Sequence, residues 1–102
     1  PFYVADGMVR NQFLIRIVNK ENRARTFSVT ATAGQSMRQS GLDKPVAIEP
    51  LDENLEPLIL SVPQGEFRGG FQVEIVIRDT TGRFQATKKL PFLGPGPAGT
   101  SR

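Results

Sequence analysis

The side chains that carry most protein chemistry are missing from this sequence: its 102 residues include no Cys and no His. Without a thiol there is no disulfide framework, no thiolate metal site and no thiol nucleophile. Without an imidazole the usual general base and the commonest transition-metal ligand are lost together. Oxygen, thioether and cationic groups remain. Asp43, Asp52, Glu53 and Glu56 offer carboxylates for calcium, but their spacing does not match the twelve-residue calcium loop. Met8 and Met37 are soft donors of the kind that hold copper(I), although isolated methionines more often fill gaps in packing. Arg68-Gly69-Gly70 lacks the Lys and Ser/Thr of a phosphate loop and runs into a strand instead of a helix. No paired-carboxylate or Ser/His/Asp constellation can be assembled. The reading is a chain with no catalytic residue, no metal site and no cofactor, and not an enzyme.

Charge is the remaining functional signal. Net charge is +3, unevenly spread: Asp43–Glu66 holds six acids against Lys44 alone, −5, and the rest holds twelve cations against four acids, +8. Arg10, Arg16, Arg23, Arg25, Arg78, Arg83, Lys88 and Lys89, on the two basic ends of the chain, form the candidate interaction face. Such a face would meet an anionic membrane surface or an acidic partner; the plainer alternative is a solvated surface. Nucleic acid is not expected, because the Phe residues fall on inward strand phases and would be core, not stacking platforms.

The elements that must position these groups are strands. In Gly70–Asp79, Phe71, Val73, Ile75 and Ile77 alternate with Gln72, Glu74 and Arg78, the two-residue period of a half-buried strand, and only Val76 breaks it. Asp79-Thr80-Thr81-Gly82 reads as a turn into Arg83–Leu90, with Gly82 supplying a positive φ. Phe2–Val4 is an edge strand closed by the Asp6-Gly7 turn; Phe13–Val18 turns Phe13, Ile15 and Ile17 inward, and Asn19–Arg23 is a polar connector whose asparagines suit a turn. Thr26–Thr32 buries Phe27, Val29 and Ala31 behind a hydroxyl-rich outer side. Ala33–Lys44 has no period and reads as a connection crossing between sheets. Pro45–Pro50 is an edge strand bracketed by prolines, Leu51–Glu56 an acidic turn, and Pro57–Pro63 a strand with Leu58, Leu60 and Val62 inward. Gly94–Arg102 has nothing to bury and reads as a disordered tail after a domain spanning residues 1–93.

Seven short strands without a helix predict an all-β fold, a seven-stranded antiparallel immunoglobulin-like β-sandwich, with a small closed barrel as the alternative. The first, second, fourth and fifth strands would make one sheet, and the third, sixth and seventh the other. The predicted core is Phe13, Ile15, Ile17, Phe27, Val29, Leu58, Leu60, Val62, Phe71, Val73, Ile75, Ile77 and Phe84. The Trp and Cys pair of antibody domains are absent, so only the architecture carries over. No apolar run approaches the roughly 18 residues of a spanning helix. The start at Pro1 without an initiator Met fits an excised or processed chain.

Asp6-Gly7-Met8-Val9-Arg10-Asn11-Gln12-Phe13, continuing to Asn19-Lys20, resembles the opening of the immunoglobulin-like domain at the carboxyl end of FixG/CcoG-type cytochrome c oxidase accessory proteins. Thr26-Phe27-Ser28-Val29, the apolar stretch before Pro63 and the final hairpin are similar too, so the resemblance covers about residues 1–93. It implies a parent membrane protein with iron–sulfur clusters and a copper-reducing role in maturation of the cbb-type oxidase, this domain lying on the periplasmic side of the bacterial inner membrane. None of the family's cluster cysteines is present, so no redox residue carries over. Asp6, Gly7, Arg10 and Asn11 carry over only as residues of a turn and of the start of a strand. The implied role is a non-catalytic interaction domain whose partners are other parts of the parent protein or oxidase-assembly factors. The alternative is a ligand- or copper-binding sandwich using Met8 and Met37.

Overall fold

The computed structural model describes residues 2–96, and of the expected tail Gly94–Arg102 residues 97–102 lie outside them. Eight strands rather than seven form two antiparallel four-stranded sheets: β1 Phe2–Ala5, β2 Met8–Val18, β3 Arg25–Thr32, β4 Arg38–Ser40, β5 Val46–Ile48, β6 Glu53–Pro63, β7 Phe71–Asp79 and β8 Gln85–Phe92. Sheet I has the order β1-β2-β6-β4 and sheet II the order β5-β3-β7-β8. The one helical element among the described residues is a 3₁₀ turn at Gln64–Glu66.

Local chemistry sets the turns. Asp6 and Gly7 form the two-residue link between β1 and β2, both at positive φ (53° and 73°), the conformation that matches the twist of the strands it joins. Gly82 closes the turn after β7 at φ 78°, as its position predicts. Gly41 also has φ 78°, and a Cβ there would collide with the backbone carbonyl of Pro57, so glycine is required on two counts.

Alternation then builds the core. Val73 and Ile75 of β7, Phe27 and Val29 of β3, Ile15 and Ile17 of β2, and Leu58, Leu60 and Val62 of β6 are all buried, as their phase predicts. Phe13, Phe71 and Ile77 pack against this core but are only partly buried. Phe84 is the correction: it precedes β8, is 45% exposed, and meets Phe27 edge-on at 6.1 Å. Its expected place belongs to Phe92, fully buried and stacked on Phe71 at 4.7 Å. Val9 and Ile48 complete the core.

Sheet membership differs from expectation in one exchange. The proline-bracketed strand, β5, pairs with β3 in sheet II, and the edge of sheet I is taken by β4 from within the supposed connection. Ala33–Lys44 does cross between sheets, but it lends three residues to sheet I on the way. Gln39 of β4 is half-buried and donates to the carbonyl of Leu42 at 3.0 Å, which closes the bend toward β5. The acidic stretch is also shorter as a turn than predicted, since β6 begins at Glu53. Pro57 sits inside β6 at a level that β4 does not reach, where the strand is paired on one side only and a missing N–H need not break a ladder.

Ile75 is 1% exposed, and Glu74 points out on the opposite phase. Ile75→Ala is expected to cost about 2–5 kcal/mol through lost burial and a residual cavity, and Glu74→Ala well under 1 kcal/mol. Urea melts showing equal losses at the two positions would contradict this packing.

Candidate interaction surface

The eight candidate cations occupy different surfaces. Arg10 and Arg16 take the outward phase of β2 on sheet I; Arg10 lies 3.8 Å from Asp6, and Arg16 donates through Nε and Nη2 to Oε1 of Glu53 on β6 at 3.1 and 2.9 Å. Arg78 and Lys89 take the outer face of sheet II, where Arg78 donates to Gln85 and Lys89 stands opposite Glu74. Lys88 is opposite Ile75, on the inward phase, yet exposed because β8 is an edge strand. Arg23 lies in the connector after β2, and Arg83 in the turn before β8.

Arg25 differs from the others. At the start of β3 its side chain is only 14% exposed and is drawn to Asp79 by a close ion pair, with Glu21 at 3.7 Å. Asp79 ends β7 on the inward phase, opposite Phe27, and is buried. Its carboxylate accepts the Thr81 hydroxyl at 2.6 Å and the Phe84 N–H at 2.9 Å, so one side chain shapes the β7–β8 turn and anchors Arg25.

Around this anchor the two sheets part. A groove of about 500 Å³ opens between the end of β2 with its following loop (Arg16 to Glu21) and the sheet II residues Arg25, Phe27, Ile77, Asp79, Phe84 and Ala86, with Arg83 on its rim. Three of the candidate cations, Arg16, Arg25 and Arg83, line it together with Lys20, which is not among the eight. The floor is apolar and the rim mostly cationic. The signal available in the sequence was Phe84, an aromatic residue in a turn with Asp79 five residues before it.

Met37 packs against the core, whereas Met8 lies on the outward phase of β2, so the two sulfurs are not aimed at a common point. Among the described residues no three carboxylates cluster as a cation site.

The family described as "IG-like fold at C-terminal of FixG, putative oxidoreductase" matches residues 1–95. The chain belongs to the FixG C-terminal domain family. Its fold is also that of a solved FixG-related protein from Vibrio parahaemolyticus, with a TM-score of 0.77 over 85% of this chain and 80% of that one, at 15% identity. No curated protein matches the sequence. Membership in the FixG family confirms the immunoglobulin-like class of the sandwich and the resemblance carried by the Asp6-Gly7 opening. Within that opening Asp6 and Gly7 form the turn, and Arg10 and Asn11 lie near the start of β2; Asn11 is buried and bonds not the turn but both the N–H and the carbonyl of Leu93, at 2.9 and 2.8 Å.

The carboxyl of Asp79 is held well below the usual carboxylate range, first by the Thr81 hydroxyl, then by the Phe84 N–H and the Arg25 guanidinium, against the opposing effect of burial. A carboxylate whose pKa falls on folding contributes stability that is complete above its unfolded value, about 4, and is lost as pH falls below it toward the folded value. The melting temperature of the wild type should therefore drop more steeply below pH 4 than that of Asp79→Asn. Parallel curves between pH 6 and pH 2 would show that the ionised form is not favoured by the fold.

Proposed function

We propose that this chain is the non-catalytic interaction domain of a membrane-bound iron–sulfur protein that serves maturation of cbb-type cytochrome c oxidase, standing on the periplasmic side of the inner membrane. The observation that carries the reading is the family match over residues 1–95, a domain at the C-terminal end of FixG. Redox chemistry would belong to the cysteine-bearing part of the parent, since this chain has no Cys and no His to hold a cluster or move a proton.

Such a domain works by contact. Tethering to the membrane raises its effective concentration beside other parts of the parent or the assembly factors, so modest surface complementarity suffices. Its exposed cations, Lys88, Lys89 and Arg83 among them, would add about 1 kcal/mol each near an anionic membrane surface, an attraction that weakens as salt shortens the Debye length below about 10 Å.

Removing residues 1–95 from the parent protein tests the reading. The truncated parent is expected to keep its iron–sulfur absorption while the amount of assembled cbb-type oxidase in the membrane falls. Unchanged oxidase content, or metal reduction by the 102-residue chain alone, would overturn it.

A further inference from the structure

The open edges of the two sheets are not alike. In sheet II, β8 carries Lys88 on its inward phase and Pro91 near its end, and β5 is three residues long between Pro45 and Pro50. In sheet I, β4 is three residues long. Short strands, prolines and inward-pointing charges are the devices that keep sheet edges from pairing with foreign strands.

β2 has none of them where it is uncovered. β1 pairs with Met8–Asn11 only, whereas β6 follows the other side of β2 as far as Val18. From Phe13 to Val18 one side of β2 has no strand partner among the described residues. This uncovered stretch, Phe-Leu-Ile-Arg-Ile-Val, is rich in strand-forming residues, contains no proline and turns only apolar side chains inward. Leu14 on its outward phase is 61% exposed and Val18 39%. Beside the last three residues of this stretch, Arg16 to Val18, lies the groove, its floor made by Ile17, Phe27, Ile77, Phe84 and Ala86.

We propose that the uncovered edge of β2 is a docking site for an extended segment of a partner protein, in which apolar and acidic residues alternate. This rests on the reading of the chain as an interaction domain and names the kind of partner it takes. A strand added beside Phe13–Val18 would form main-chain hydrogen bonds to β2 and turn alternate side chains to opposite faces. One set enters the groove, over Phe27, Ile77 and Phe84, and wants apolar side chains. The other set emerges near Arg16 and Lys20, and Arg83 stands at the groove's rim. Lys20 and Arg83 enter no ion pair among the described residues, so an acidic side chain brings them a counter-charge they lack. The acids that line the groove do not repel such a segment strongly, because Asp79 is engaged by Arg25, Thr81 and Phe84 and Glu21 lies beside Arg25.

The test is a titration of the ¹⁵N-labelled 102-residue chain with a capped eight-residue peptide of alternating Val and Glu. Controls are the Val/Lys counterpart and a Val/Glu peptide N-methylated at alternate residues. The expected result is a set of amide shifts confined to Phe13–Val18 and Phe84–Ala86, binding weakened at least tenfold by the Lys20→Glu/Arg83→Glu double variant, and no binding of the N-methylated peptide. Both substituted positions are exposed, and an unchanged dispersion of the free spectrum shows that the variant is folded. Three outcomes overturn the proposal: no shifts at millimolar Val/Glu peptide, shifts centred on β4 or on residues 87–92 of β8, or equal binding of the Val/Lys peptide. If the peptide fails while deletion of the domain from the parent still depresses oxidase assembly, the interaction reading stands and this edge is not its site.

Discussion

One carboxamide holds the segment that follows β8 to the second strand of the fold. Asn11 lies on the inward phase of β2, where its neighbours Val9 and Ile15 are apolar, and it is 1% exposed. A buried amide with no partners would cost about 1–3 kcal/mol for each unmet group. Asn11 meets both backbone groups of Leu93, accepting its N–H and donating to its carbonyl, as a neighbouring strand would. The last residues of sheet II are thereby fastened to sheet I across the edge of the sandwich. Phe92 is trapped beneath them, stacked on Phe71 and tilted against Phe67 at 6.1 Å. Aromatic pairs of this geometry add about 0.5–1.5 kcal/mol beyond burial, so the polar clamp and the aromatic cluster reinforce each other.

The opposite end is organised by the same device. Asn19 follows β2 on the same phase, and its side-chain amide donates to the carbonyls of Arg23, Ile48 and Glu49 while its oxygen accepts the N–H of Glu21. Asp79 does for the β7–β8 turn what Asn19 does for the loop after β2. Each of these buried polar groups gathers backbone donors or acceptors that loops would otherwise leave unmet. The groove is lined by both Asn19 and Asp79, so the side chains that fix the two loops also fix its shape.

Much of this was legible in the sequence, and the parts that were not share a cause. Alternation in β2, β3, β6 and β7 follows directly from burial on one side, so the long strands and most of their inward residues could be read. Sheet membership of β5 could not, because a strand of three residues carries no record of which neighbour it bonds. β4 has no apolar period at all: Arg38-Gln39-Ser40 is held by backbone pairing with β6 and by the Gln39 side chain. Asn19 reads as a turn residue because Asn in isolation favours turns, and nothing local marks Asn11 as buried; the burial of both depends on partners dozens of positions away. Phe84 and Phe92 differ only in where the last strand starts and stops, which a proline at position 91 obscures.

Charge shows how far linear order can mislead about surface. Along the chain the basic ends and the acidic middle look like two poles, but antiparallel pairing interleaves them. β6, from the acidic segment, lies against β2, from a basic one, and Glu53 neutralises Arg16 across the pair. In sheet II, Glu74 stands opposite Lys89. Exposed pairs of this sort contribute at most about 1 kcal/mol each to stability, and they mix the two signs that the linear sequence keeps apart. Lys20 and Arg83 stand beside the groove between the sheets, so the charge that a ligand meets depends on where it binds more than on the net charge of +3.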